Sequence, residues 1–243
     1  LMQKESLSMR DKELPFIQNM FDNIAPKYDL LNRLLSLRQD VFWRRQLVLA
    51  LRPQENDLIL DVACGTGDVA LAICQTKVPC IKVIGMDFAP RMLINAKKKI
   101  DAINKSKEIS LMAADALFLP FKKSVFDAAT IAFGIRNIVD KDVVLKYLYN
   151  SIKKDGRLLV LELSTPSKGF LRWMYLLYFR KILPLIGAIF SKDNGAYHYL
   201  PDSVLNFPSE RKFAGMMTSA GFYDVKWKSL TFGIATLFVG RKP

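Results

Sequence analysis

The sequence holds one histidine, three cysteines and no uninterrupted apolar run long enough to cross a bilayer. Each scarcity excludes something. Cys64, Cys74 and Cys80 are too few, and odd in number, for a disulfide framework, and they indicate a reducing compartment. With His198 alone they do not make a zinc site, so no metal is expected and the thiols read as small buried hydrophobes. The stretch LMQKESLSMRDKELP lacks the apolar core of a secretory signal. The longest apolar region, 171–190, is broken by Arg172, Arg180, Lys181 and Pro184, too often for a spanning helix. A cytoplasmic protein is expected. Internal repeats and low-complexity segments are absent.

What is present suits one large α/β domain with a helical appendage. The chain has 243 residues, of which 51% are hydrophobic, enough for a substantial core. Its net charge is +13, from 36 Lys and Arg against 23 Asp and Glu. That balance favours anionic partners. The lysines are scattered in short groups (97–99, 122–123, 153–154) and no nucleic-acid-binding module is recognisable. Nucleic acid is therefore not expected, whereas attraction to an anionic membrane surface is.

From residue 57 to 163 strand-like and helix-like segments alternate. Strands are predicted at LILDVA (58–63), KVIGMD (82–87), ISLMAAD (109–115), FDAATIAF (126–133) and RLLVLEL (157–163). Helices are predicted at 68–75, from Pro90 to about 103, and at 142–154, the last stopped by Asp155-Gly156. Such alternation, with near-continuous apolar strands, implies a parallel sheet covered on both faces. The end of the chain differs. After a helix at 209–220, the runs 223–230 and 233–240 are separated by two residues, too few for a parallel crossover, so an antiparallel hairpin is predicted. Residues 12–52 read as helices, and 164–208 as an aromatic-rich helical insertion; 57–163 forms the core and 209–243 completes one domain.

The densest chemical signal is Asp61-Val-Ala-Cys-Gly65-Thr66-Gly67-Asp68, at the end of the first strand. Glycines there let the backbone approach a ligand, and the next helix offers unpaired N–H groups. Asp87 ends the second strand, where an acid can accept both hydroxyls of a ribose. Asp115-Ala116 ends the third, where a carboxylate can hold an adenine amino group. Three acids at the carboxyl ends of successive strands converge on one crevice. Gly65-x-Gly67-x-x-Ala70 also fits the dinucleotide fingerprint, so an NAD-dependent oxidoreductase is a rival reading. Asp61 speaks against it: a carboxylate just ahead of the glycines repels a pyrophosphate and attracts the ammonium of a methionine moiety.

At these residues the chain resembles the ubiquinone/menaquinone biosynthesis C-methyltransferase family, within the class I methyltransferases. Phe21-Asp22-x-Ile24-Ala25-x-x-Tyr28-Asp29-x-x-Asn32, continuing through Ser36 to Trp43, is similar to that family's first signature, with Asp40 where the family usually has histidine. Leu60 to Asp68 matches its donor loop, with Cys64 where glycine is common. Ala132-Phe133-Gly134-Ile135-Arg136-Asn137 is the most distinctive block; LVLELS (159–164), Tyr197-x-Tyr199-Leu200, Phe207-Pro208 and MMTSAGF (216–222) follow in order. The resemblance implies a Rossmann-like, doubly wound, mostly parallel seven-stranded sheet closed by the hairpin. It also implies S-adenosylmethionine as donor, held by Thr66, Asp87, Asp115 and Ala116, with Ala132 lining the same pocket and Asp61, Gly65 and Gly67 shaping it.

The acceptor implied is a prenylated quinol: demethylmenaquinol, or 2-methoxy-6-polyprenyl-1,4-benzoquinol. Methylating its ring carbon requires orientation, exclusion of water and stabilisation of phenolate charge, with no metal. Arg136 is the candidate for the electrostatic role and Asn137 for orienting the ring; the plainer alternatives are an arginine bonding loop carbonyls and an asparagine capping the next helix. Tyr197 and Tyr28 are candidate ring neighbours or proton relays, or packing residues. The stretch 170–184 reads as an amphipathic helix that covers the isoprenoid tail, packs as a lid, or grazes the inner face of the membrane. A non-catalytic protein that merely binds the donor is a further alternative, and an oligomer or a biosynthetic complex is left open.

Overall fold

A computed structural model of the protein describes residues 15–166, 169–178 and 195–243, apart from the side chains of residues 171 and 195–198. Seven strands form one sheet: β1 (Leu58–Val62), β2 (Lys82–Asp87), β3 (Ile109–Ala113), β4 (Phe126–Ala132), β5 (Ile152–Leu163), β6 (Tyr223–Leu230) and β7 (Ala235–Arg241). Their order is β3-β2-β1-β4-β5-β7-β6. The first five run parallel; β7 enters antiparallel between β5 and β6, so the predicted hairpin docks through its second strand. Strand order reverses between β1 and β4. At that switch point the flanking connections leave on opposite faces and a crevice opens at the carboxyl ends of the strands.

Both faces of the sheet are covered, which is why its strands are apolar throughout rather than alternating. On one face Ile59, Val83, Leu159 and Leu161 pack against α3 (Gln39–Leu51), α4 (Asp68–Cys74) and α5 (Pro90–Ala102), through Leu47, Ile73 and Ile100. On the other Leu60, Val62, Ile131 and Val160 meet α6 (Lys141–Ser151) and α9 (Glu210–Ser219), through Leu148, Phe213 and Met217. Pro90 occupies the first turn of α5, where its missing N–H costs no helical bond.

The helix predicted over 142–154 ends earlier, at Ser151, and β5 starts at Ile152 instead of Arg157. Ile152 follows Leu148 by four residues and so continues the helical pattern, but it is fully buried in the sheet, paired with Phe126. Register then jumps to Ala128–Arg157, with Asp155 at φ +63° carrying the chain through the irregularity. Gly156 is required there: a Cβ would lie 2.5 Å from Ile152 Cγ2 and 2.6 Å from the Asp127 carbonyl oxygen.

Three helices precede the sheet: α1 (15–24), α2 (Tyr28–Leu35) and α3. The chain ahead of α2 lies along the sheet's carboxyl edge. The Gln18 amide donates to the Phe88 carbonyl at 3.1 Å, Arg91 N–H to Asp22 at 3.0 Å and Asn95 to the Ala25 carbonyl at 2.8 Å. The insertion contributes α7 (Gly169–Leu177) and α8 (Gly195–Leu205), joined to α2 in a small core of Leu31, Tyr175 and Val204. The part of the insertion at 179–194 lies outside the described residues. Among those described, no helix is long and apolar enough to cross a membrane.

Gly156→Ala should lower stability by about 1–3 kcal/mol, the cost of forcing a methyl group into a packed site. Urea unfolding followed by circular dichroism checks this, and ligand affinities should be unchanged because the site lies at the opposite end of the strands.

Candidate functional site: a two-part cleft at the switch point

The turn after β1 is tightly wound. Ala63, Gly65 and Gly67 all take positive φ, and Cys64 N–H donates to the Met86 carbonyl at 2.9 Å. The turn after β4 mirrors it, with Phe133 at φ +58°. A side chain in this region carries strain, which the surrounding structure must hold in place. The two turns touch: a Cβ on Gly134 would sit 2.5 Å from Ala63 Cβ. Only glycine lets the ends of β1 and β4 come this close.

Between and beside these turns lie two adjoining cavities, with Tyr28, Gly65 and Phe133 common to both. The larger is lined by Asp87, Asp115, Ala116, Ala132 and Asn137 together with apolar side chains including Ile17 and Phe21 of α1. The smaller is lined by Asp61, Thr66, Asp68 and Arg44. Sequence reasoning thus named residues on both. Gly67 lines neither; it sits at the N-cap of α4, where a Cβ would press on Ala96 at 3.3 Å. The side chain of Tyr197 is outside the described residues.

The acids differ in how they are served. Asp87 accepts from Gly65 N–H at 2.8 Å and from Ala89 N–H at 2.9 Å. A carboxylate offers about four acceptor positions, so capacity for two hydroxyls is left. Asp115 accepts from Leu117 N–H at 2.9 Å. Asp61, almost wholly buried, accepts from the Thr130 hydroxyl at 2.7 Å through Oδ1, while Oδ2 has no partner among the described residues. Burial pushes its carboxyl up to about 7, with Asp87 adding to the effect and Thr130 opposing it.

Arg136 lines neither cavity. Its Nη1 donates to Glu162 Oε1 at 2.6 Å and to the Phe133 carbonyl at 2.5 Å, and its backbone N–H donates to Glu162 Oε2 at 3.1 Å. Nε is buried without a partner among the described residues. Burial opposes the guanidinium's charge, but Glu162, with Tyr28 and Tyr199, outweighs it, and the group is held above its ordinary range. Asn137 does not cap the next helix; Asp140 does, accepting from Val143 N–H at 3.0 Å. Asn137 Oδ1 instead accepts from the Tyr199 hydroxyl at 3.1 Å.

A profile of the ubiE/COQ5 methyltransferase family matches residues 7–242. The chain belongs to that family. Among curated relatives, the ubiquinone/menaquinone biosynthesis C-methyltransferase UbiE of Geotalea uraniireducens is 47% identical over 93% of this chain and 96% of its own. The demethylmenaquinone methyltransferase of Thermus thermophilus is 46% identical over 92% of this chain and all of its own. Solved structures agree on the fold: a SAM-dependent methyltransferase from Thermotoga maritima aligns over 93% of this chain and 99% of its own, with a TM-score of 0.65 and 21% identity. The [4+2]-cyclase SpnF aligns over 93% and 95% with a TM-score of 0.68 and 16% identity, so this fold also hosts chemistry named for something other than methyl transfer.

Sequence reasoning passed over a polar cluster in front of the glycine turn. Thr66 Oγ1 donates to Asp29 at 2.6 Å; Lys99 binds Asp29 at 2.8 Å and also Asp68. Arg44 binds Asp40 at 2.6 Å and lies 3.4 Å from Asp68, and Asp40 accepts from the Ser36 hydroxyl at 2.8 Å. A signal existed: Asp40 and Arg44 stand four residues apart, on one face of α3.

Asp61 gives a pH test of this electrostatic reading. Its carboxyl is neutral in the folded protein up to about pH 7, whereas in the unfolded chain it ionises near its ordinary 3.8. Between those values the folded state binds the extra proton, so its stability relative to an Asp61→Asn variant should fall as pH rises from 4 to 7 and then level off. Melting temperatures of both proteins across that range measure it; parallel curves would place a counter-charge on Asp61.

Proposed function

We propose that the protein transfers a methyl group from S-adenosylmethionine to a ring carbon of a prenylated quinol, in menaquinone or ubiquinone synthesis. The observation that carries this reading is the near-full-length match to relatives named for that activity. The cleft suits the donor. Asp87 has acceptor positions for the ribose hydroxyls, Asp115 and Ala116 bound the larger cavity beside it, and the orphaned Oδ2 of Asp61 calls for a cation such as an ammonium. A pyrophosphate would leave that oxygen without a donor, which argues against a dinucleotide.

S-adenosylmethionine supplies an electrophilic methyl group and its own leaving group. The chain's work is on the acceptor. A quinol carbon becomes nucleophilic as a ring hydroxyl loses its proton, and after methylation that carbon releases its hydrogen as a proton to restore aromaticity. Ile17, Phe21, Ile138 and Val139 give the larger cavity an apolar wall, beside which a charge interaction is less screened than in water. Asn137, steered by Tyr199, is the group placed to orient a ring oxygen. Arg136, locked by Glu162 behind the turn after β4, lines neither cavity, so its pull on phenolate charge acts at a distance and through the turn it holds.

Membrane contact at the inner face is part of the proposal. The exposed side of α7 carries Phe170, Trp173, Met174 and Leu177, and α2 adds Leu30 and Leu34. A net charge of +13 would draw such a surface to anionic lipid. Vesicles with anionic headgroups should retain the protein at low salt and release it near 1 M, where the Debye length falls to about 3 Å. Trp173→Ser should weaken retention; equal retention of both proteins would move the contact elsewhere.

Labelled methyl from S-adenosylmethionine should appear in demethylmenaquinol or in 2-methoxy-6-polyprenyl-1,4-benzoquinol, and label in neither would overturn the reading. Arg136→Lys separates the two roles of that residue. Lysine keeps a charge for Glu162, so the melting temperature should stay near that of the parent. It lacks the planar fork of donors, so kcat should fall by about 10²-fold. Arg136→Ala should in addition destabilise the fold by about 3–5 kcal/mol, because Glu162 is left buried and unpaired.

A further inference from the structure

The smaller cavity has an acid on one wall and a base on another. On one side is Asp61, with a buried carboxylate oxygen that no described residue serves. Leaving that oxygen without a donor is costly, and a ligand cation removes the cost. On another side is Arg44, itself largely buried. Its plane is fixed from two directions: Asp40 binds Nη1 at 2.6 Å, and the Phe133 ring centre lies 5.6 Å from the guanidinium carbon. Asp40 is held in turn by the Ser36 hydroxyl at 2.8 Å. A guanidinium has five N–H donors, and with Nη1 committed to Asp40 the fork can still offer a pair of donors to a second carboxylate.

The charges around it leave room for a neutral ligand with both signs. Arg33, Arg44 and Lys99 are matched by Asp29, Asp40 and Asp68, which they contact directly. Asp61 stands outside those pairs, so a bare anion would meet an acid without an ion-pair partner among the described residues, whereas an α-amino acid end brings an ammonium for Asp61 and, on the same carbon, a carboxylate for Arg44. Gly65 and Tyr28 line this cavity and the larger one, so a single ligand can occupy both, its amino-acid end here and its nucleoside beside Asp87.

We infer that Arg44 binds the α-carboxylate of the donor's amino-acid end, across the cavity from Asp61 on the ammonium, and that Asp40 is the positioning residue that aims the guanidinium. This rests on the reading of the cleft as the S-adenosylmethionine site. Calorimetry with three ligands tests it without turnover: S-adenosylhomocysteine, which keeps both charges; decarboxylated S-adenosylmethionine, which lacks the carboxylate; and 5′-methylthioadenosine, which lacks the whole amino-acid end.

Arg44→Met should weaken S-adenosylhomocysteine by about 10- to 100-fold, the loss of a charged hydrogen-bonded pair, and leave the other two within about threefold. Asp40→Asn should reproduce the same selectivity at smaller amplitude. If Arg44→Met unfolds, Arg44→Lys, which keeps the charge, should still show a selective loss of S-adenosylhomocysteine. An equal loss for all three ligands would make Arg44 a structural pin and overturn the inference while leaving the donor site standing. Failure of the parent protein to bind any of the three would overturn the donor site itself, and the inference with it.

Discussion

Glu162 is completely buried near the end of β5 and collects three donors: the guanidinium and the backbone N–H of Arg136, and its own neighbour Leu163 N–H at 2.8 Å. A carboxylate withdrawn from water has to be surrounded in this way. In satisfying itself Glu162 dictates where the chain goes after β4. That turn, held by Arg136 against the Phe133 carbonyl, is the one Gly134 brings against Ala63. Asp87 does the equivalent for the neighbouring turns, gathering Gly65 and Ala89. The walls of the cleft are therefore set by buried acids, and the acid left incompletely served, Asp61, marks where a ligand belongs.

The two cavities divide the chemistry. The smaller is polar and crowded with ion pairs, suited to holding something charged in one orientation. The larger adds apolar side chains from α1 and from the turn after β4, in which polar groups act in a weakly screening medium. Charge is thus fixed at one end of the cleft and made strong at the other.

Much of this was legible in the sequence, because parallel strands buried on both faces are written as unbroken apolar runs. Asp61, Asp87 and Asp115 could be read for the same reason: strand ends locate the crevice once the strands are found. The end of α6 was not legible, since Ile152 keeps the helical phase while belonging to the sheet. Nor was Glu162, because a buried acid in an apolar strand reveals nothing of its partner 26 residues away. Phe133 carries no signal of its positive φ, as glycine would. Arg44 was hidden for another reason: α3 puts polar side chains on its buried face, so apolar periodicity does not report which face looks inward.

The order of elements along the chain has a consequence for how the molecule assembles. The segment that covers the glycine turn is made before the partners that hold it there, which lie far downstream. Gln18 meets Phe88, Ala25 meets Asn95 and Asp29 meets Lys99, each about 70 residues later. Closing loops of that length before the sheet exists is entropically unfavourable, so α1 and α2 dock once β1, β2, α4 and α5 are in place. Residues synthesised before their partners thus settle after them, and they settle over the cleft. The contacts that complete this part of the fold are then the same ones that wall the cleft.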